Sequence, residues 1–374
     1  MSRLGELSAA GTAVWLDFVD RKFLQAGGLE KLVEADGLTG VTSNPSIFEK
    51  AMGHGDAYDE SLAEYDRAHP GAATIDRYEH LAVQDIVAAA DALRPVYDRL
   101  DARDGYVSLE VSPYISDDTD ATIAEARKLW RAVDRPNLMI KIPGTLAGGP
   151  AIAATIAAGM NVNVTLLFSR EAYARVAEAY AMGLEERVRQ GQPIDRIASV
   201  ASFFVSRIDT TIDKEIDRRV AEGDPESDAL KAVRGKTAIA NAKLAYRWYL
   251  DFIASERWRA LAAKGAQPQR LLWASTGVKD KAYPTTLYVD TLIGRDTVNT
   301  MPVATMDAFR ETGTVAETLT TGLDEAERLL TEVERLGLDL GGVTGRLVEE
   351  GVASFVKAFD DLMNAIAAKQ PVGA

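Results

Sequence analysis

The sequence predicts an α/β protein built as a single (β/α)8 TIM barrel, and three observations carry that expectation. Strand and helix signals alternate through nearly all of the 374 residues. Eight segments have strand character, at 13–18, 38–43, 105–111, 137–142, 161–167, 197–205, 270–276 and 297–303. Several of these strands carry polar residues at every second position, and side chains two apart on a strand share a face. The apolar faces require helices against them. The polar faces require one enclosed, hydrogen-bonded space, which a parallel barrel supplies at the carboxyl ends of its strands.

Taken in order, the first strand puts Trp15 and Asp17 on one face, and the second runs into Asn44-Pro45, a turn-forming pair. An insertion at about 48–104 follows. Its Ile75–Leu93 portion has helical periodicity, and Pro95 is expected to end that helix. The third strand aligns Ser108 with Glu110 against Val107, Leu109 and Val111. Ser116-Asp-Asp-Thr-Asp120 supplies capping residues for a helix from Ala121 to Val133. The fourth strand contains Lys141 in an apolar run that stops at Pro143-Gly144, and a short helix is expected over Pro150–Ala158. The fifth aligns Asn161, Asn163 and Thr165 against Val162, Val164 and Leu166, before a helix at Arg170–Gln190. Ser202 lies on the sixth, and Ser206-Arg-Ile-Asp209 reads as a helix start. A helical stretch at 228–263 precedes the seventh strand, and helices at about 305–370 follow the eighth. In the last of these Val348, Val352, Phe355, Phe359, Leu362 and Ile366 form one apolar face, read as packing against the barrel in preference to covering its mouth or joining a second copy. No linker-like segment or solenoid repeat divides the chain, so a single domain over 1–374 is expected.

Composition removes several function classes. The chain has no cysteine, which excludes disulfides and thiolate metal sites. His54, His69 and His80 all fall in the insertion without metal-ligand spacing, so no metal or other cofactor is expected. A formal net charge of −14 argues against nucleic acid and means that an anionic ligand must be held by a few local cations. No apolar run approaches a membrane span and the first residues lack a secretory pattern, so no membrane association and a cytoplasmic location are expected. Asn163-Val-Thr165 matches a glycosylation acceptor but lies within a strand and is set aside.

Lys141 is the most informative residue. A lysine in an apolar strand must be paired, snorkel to solvent, or serve as a desolvated nucleophilic amine able to attack a ketone and form a Schiff base. Asp17 and Glu110 supply two carboxylates for proton transfer; their plainer role would be to neutralise Lys141 in a buried network.

Six segments, in order along the barrel, resemble the transaldolases: Trp15-Leu-Asp17, Gly40-Val-Thr-Ser-Asn-Pro-Ser46, Ser108-Leu-Glu-Val111, Met139-Ile-Lys-Ile-Pro143, Asn163-Val-Thr-Leu-Leu-Phe-Ser169 and Ser202-Phe-Phe-Val-Ser-Arg-Ile208. The resemblance implies a Schiff-base (β/α)8 enzyme that moves a dihydroxyacetone unit between sugar phosphates in the pentose phosphate pathway. It makes Lys141 the nucleophile and Asp17 the acid-base group at the donor C4 hydroxyl, while Glu110 and Thr165 hold a proton-shuttling water. It assigns Asn44 and Asn163 to the hydroxyls of the three-carbon unit, and Ser202 and Arg207 to the phosphate. The seventh strand departs from the family's Ser-Phe-Arg stretch: in Leu272-Trp-Ala-Ser-Thr-Gly-Val-Lys279, Ser275 matches the serine, Gly277 stands in the arginine's place, and Lys279 is the candidate replacement charge. An aldolase of the same barrel type and a non-catalytic sugar-phosphate-binding protein are the competing readings. The insertion and long C-terminal region favour the transferase, and the Lys141, Glu110, Asp17 and Thr165 set disfavours a binding module. Sequence leaves the oligomeric state open.

Overall fold

The computed structural model describes residues 2–369. Eight parallel strands close in sequence order into a barrel: β1 Thr12–Leu16, β2 Gly40–Val41, β3 Tyr106–Glu110, β4 Leu138–Pro143, β5 Val162–Leu167, β6 Ser199–Phe204, β7 Arg270–Ala274 and β8 Thr297–Met301. All eight expected strands are present with helices between them, as the alternating pattern requires. The shortest, β2, is fixed by its neighbour. A Cβ on Gly40 would lie 2.3 Å from the Trp15 ring, so only glycine lets the indole lie across the floor of the barrel.

The inward polar residues divide by depth. At the amino-terminal end they are structural: Trp15 Nε1 donates to Asp104 at 2.9 Å, and Arg270 donates to the same carboxylate at 3.0 Å. Asn161 belongs here too. Its amide nitrogen donates to the Pro136 and Leu138 carbonyls, and its oxygen accepts from Ala198 N. At the carboxyl-terminal end lie Asp17, Glu110, Lys141, Asn163 and Thr165. Register brings three of these together, since Glu110 pairs with Lys141 across β3 and β4, and Lys141 with Asn163 across β4 and β5.

Two expectations on β5 and the insertion need correction. Strict alternation fails at Leu166, where the β5–β6 register shifts and φ is +59°. A branched side chain in that region is strained, and the bulge re-aims Leu166 toward the C-terminal helix, against Gly351. Pro95 does not end its helix, which spans Thr74–Arg99. The last turn buries Val96 and Tyr97 in the core, and that burial offsets the bond the proline cannot make. The stretch at 228–263 is three helices, Ser227–Val233, Thr237–Ala254 and Glu256–Ala262. They are broken at Gly235, with φ +70°, and at Ser255, which caps the third helix.

The insertion is a platform for the C-terminal helix, Leu340–Ala368. Phe359 packs edge-on against Tyr78 of the insertion at 5.3 Å, and Tyr78 in turn packs against Phe48. Arg77 grips the helix end: it donates to the carbonyls of Ile366 and Lys369 at 2.9 and 2.8 Å while pairing with Asp66 at 2.9 Å. Both partners of that ion pair are nearly buried, at 9% and 12% exposure, so removing one leaves an uncompensated charge. Arg77→Ala should therefore cost about 3–5 kcal/mol in denaturant unfolding. It should also raise amide exchange in 355–366 more than in the strands; uniform exchange would mean that the clamp is not local.

Candidate active site

β4 delivers Lys141 to the barrel mouth at 4% exposure. Its ammonium donates to the Ser43 carbonyl at 3.0 Å and lies 3.3 Å from Glu110 Oε2. A lysine with a buried carboxylate and a carbonyl on either side does not snorkel; the structure realises the paired arrangement. Burial raises the Glu110 carboxyl above the usual range, against the opposing pull of Lys141. Asp17 follows β1, with its backbone N–H bonded to Met301 O, so its position is fixed by the barrel and not by a loop. Its carboxylate accepts from Thr42 at 2.7 Å, and Thr42 contacts Thr300 at 2.7 Å. Burial raises Asp17 as well, outweighing the Thr42 bond and the attraction of Lys141.

β5 contributes a polar relay. Ser202 Oγ donates to Asn163 Oδ1 at 2.7 Å, and Asn163 Nδ2 donates to Ser108 Oγ at 3.0 Å. This fixes the Asn163 amide and leaves its second N–H. The Thr165 hydroxyl is fully buried and makes no hydrogen bond within the described residues. The Thr155 and Thr237 hydroxyls share that state, so the feature of Thr165 is its place on β5 beside Asn163. Asn44 caps the helix Pro45–Met52, accepting from Ile47 N at 3.0 Å. It is thus the turn residue that its Pro neighbour suggested, at the rim of the site.

The cationic side of the mouth is built by the helix Ser206–Ala221. Arg207 lies half-buried with its guanidinium 5.1 Å from the Phe204 ring, and it has no salt bridge among the described residues. Desolvation lowers its pKa, a cost that an anion would relieve. Ser275, held at φ +55°, meets Ser206 Oγ at 3.0 Å. The first amides of the helix, Arg207 and two serine hydroxyls therefore share one end of the barrel. Lys279 is exposed and lines a recess of about 290 Å³ with Asp209, Asp213, Asp217 and Arg234. A larger cavity, about 810 Å³, lies beside the mouth between the insertion and the C-terminal helix and contains none of the groups above.

The family model described as Transaldolase/Fructose-6-phosphate aldolase matches residues 14–366. The chain belongs to this family. A transaldolase of Thermobifida fusca is 49% identical over 367 residues, covering 98% of both chains. A transaldolase 2 of Nostoc sp. is 48% identical over 374 residues, covering 99% of this chain and 98% of its own. These relatives make the chain a transferase of the family. Among the described residues, no helix is long and apolar enough to cross a membrane.

The structure brings Lys141, Glu110, Asp17, Thr165, Asn163 and Ser202 together at one end of this family barrel. It adds four residues that sequence reasoning did not single out: Thr42, Ser43, Ser206 and Phe355. The first three lie inside the matching segments, so their motifs were visible. Phe355 was hidden in an ordinary helical apolar stripe; its ring centroid is 5.9 Å from Lys141 Nζ. The C-terminal helix thus both packs on the barrel and covers its mouth.

A carboxyl raised by burial binds more protons folded than unfolded, so Asp17 withdraws stability as pH rises from about 4 through its folded value. Asp17→Asn should melt higher than the wild type at pH 8 and equally at pH 3.5. A lower melting temperature at pH 8 would show that the Asp17 charge is net stabilising through Lys141.

Proposed function

We propose that this chain is a transaldolase that carries a dihydroxyacetone unit from a ketose phosphate to an aldose phosphate through an imine on Lys141. The observation that carries the reading is the buried Lys141–Glu110 pair at 3.3 Å in a barrel of this family. Sedoheptulose 7-phosphate with glyceraldehyde 3-phosphate, and erythrose 4-phosphate with fructose 6-phosphate, are the substrate pairs of the pentose phosphate pathway that fit it.

In this mechanism the Lys141 amine attacks the C2 carbonyl of the donor. Glu110, protonated more readily than an ordinary carboxylate, exchanges protons through a water held with the orphan hydroxyl of Thr165, and the carbinolamine loses water to give an iminium. Asp17 takes the proton of the C4 hydroxyl. The C3–C4 bond breaks, its electron pair moves into the iminium to form an enamine, and the aldehyde leaves. The enamine attacks the acceptor aldehyde, Asp17 returns the proton to the new alkoxide, and water releases the product from Lys141. Asn44 and the free N–H of Asn163 bind hydroxyls of the three-carbon unit, and Ser202 orients Asn163. Arg207 with Ser206 and Ser275 receives the phosphate, and Lys279 adds at most a weak, solvated charge from its loop.

Reduction with borohydride in the presence of fructose 6-phosphate should place the adduct on Lys141, and Lys141→Met should abolish adduct and turnover without unfolding. An adduct on another lysine sinks the mechanism. Glu110→Gln should slow imine formation and reduce turnover by at least about 100-fold.

Arg207→Ala should reduce kcat/KM for phosphorylated sugars by on the order of 10 to 150-fold and barely change it for free fructose or dihydroxyacetone. Lys279→Ala should follow the same direction more weakly. Equal losses on both sugar classes would remove Arg207 from the phosphate site.

A further inference from the structure

The family's name joins two fates of one intermediate: transfer to an acceptor aldehyde, or release of the three-carbon ketone. Which fate prevails depends on whether the enamine is protonated at C3 before the acceptor reaches it. Resting on the Lys141 imine proposed above, we infer that Phe355 of the C-terminal helix is the residue that keeps bulk solvent from protonating this enamine, while the water held with Glu110 and Thr165 stays in place, and so commits the enzyme to transfer.

The ring is 5% exposed and its centroid lies 5.9 Å from the same ammonium that Glu110 and the Ser43 carbonyl contact. At 5.9 Å it is at the limit of useful cation–π attraction, whereas the carboxylate and carbonyl lie at 3.3 and 3.0 Å. The electrostatics of the amine are therefore set by Glu110 and Ser43, and the ring's effect is exclusion of solvent.

Contacts one turn to either side hold the ring there. One turn before it, Gly351 meets Leu166 so closely that an added Cβ would lie 2.8 Å from Leu166 Cδ2. That same Leu166 is the strained residue of the β5 bulge, so the distortion of the strand serves the seating of the helix. One turn after it, Phe359 is wedged between Tyr78 and Tyr114, with centroids at 5.3 and 5.5 Å. Tyr114 also donates to Asp360.

In the excluded reaction the enamine takes a proton at C3 and becomes the imine of dihydroxyacetone; one water adds at C2, and collapse of the carbinolamine expels dihydroxyacetone and regenerates the lysine amine. With Phe355 in place, the acceptor aldehyde captures the enamine first.

The test compares wild type, Phe355→Leu and Phe355→Ala with fructose 6-phosphate as donor and erythrose 4-phosphate as acceptor. Free dihydroxyacetone and transferred product are counted in the same reaction. Their ratio is independent of how much enzyme is folded, so a merely structural role leaves it unchanged. Phe355→Ala should raise the ratio of release to transfer by on the order of 10-fold or more, with Phe355→Leu between. The borohydride adduct should remain on Lys141 in all three. An unchanged ratio with the adduct intact overturns the role of Phe355 alone. Absence of a Lys141 adduct in the wild type overturns the imine reading, and this inference with it. Should Phe355→Ala fail to fold, Phe355→Leu alone decides, because it keeps most of the buried volume while opening the aromatic cover.

Discussion

A single buried ammonium organises this molecule. Placing Lys141 inside a closed barrel at 4% exposure is sustainable only with a carboxylate and a carbonyl at hand. Glu110 can serve because β3 and β4 hold it directly across from the lysine, and Ser43 because the segment after β2 turns inward just above Gly40. The pairing has a chemical cost for its partners. Glu110 and Asp17 are both pushed upward by the same enclosure, so the site holds two carboxyl groups that accept protons more readily than carboxylates in water. Enclosure that would be a liability in a purely structural core is what the proposed imine chemistry draws on.

The barrel separates stability from chemistry along its axis. Its floor is closed by Trp15, Asp104 and Arg270, whose side chains bond to one another. Among the described residues, its upper end keeps groups with unused capacity: the Thr165 hydroxyl, one amide hydrogen of Asn163 and the guanidinium of Arg207, which has no salt bridge. Residues of the same kind, such as Asn161 and Asn163 on one strand face, therefore do different work according to depth alone.

That division also explains what the sequence could disclose. Period-two polarity located the strands and the inward faces, because barrel geometry demands it of every strand. It did not separate Asn161 from Asn163, since pattern carries no depth. The bulge at Leu166 was illegible because a left-handed leucine leaves no compositional trace; only its neighbour Gly351, 185 positions later, makes room for it. Phe355 escaped for a related reason. In a helix with one apolar stripe, the residue over a buried amine and the residue in ordinary packing look alike. Pro95 misled because the turn beyond it buries enough side chain to outweigh a lost hydrogen bond.

The clamp of Arg77 on Ile366 joins residues 289 positions apart. During synthesis, β8 ends at Met301, and Phe355 emerges some fifty residues later, roughly 3–10 s at ordinary elongation rates. Every new molecule consequently passes through a stage in which the barrel strands and their lysine have been made but the cover has not. At that stage Glu110 and the Ser43 carbonyl have been made but the aromatic cover has not, so the end of synthesis completes the surroundings of Lys141 as well as the fold.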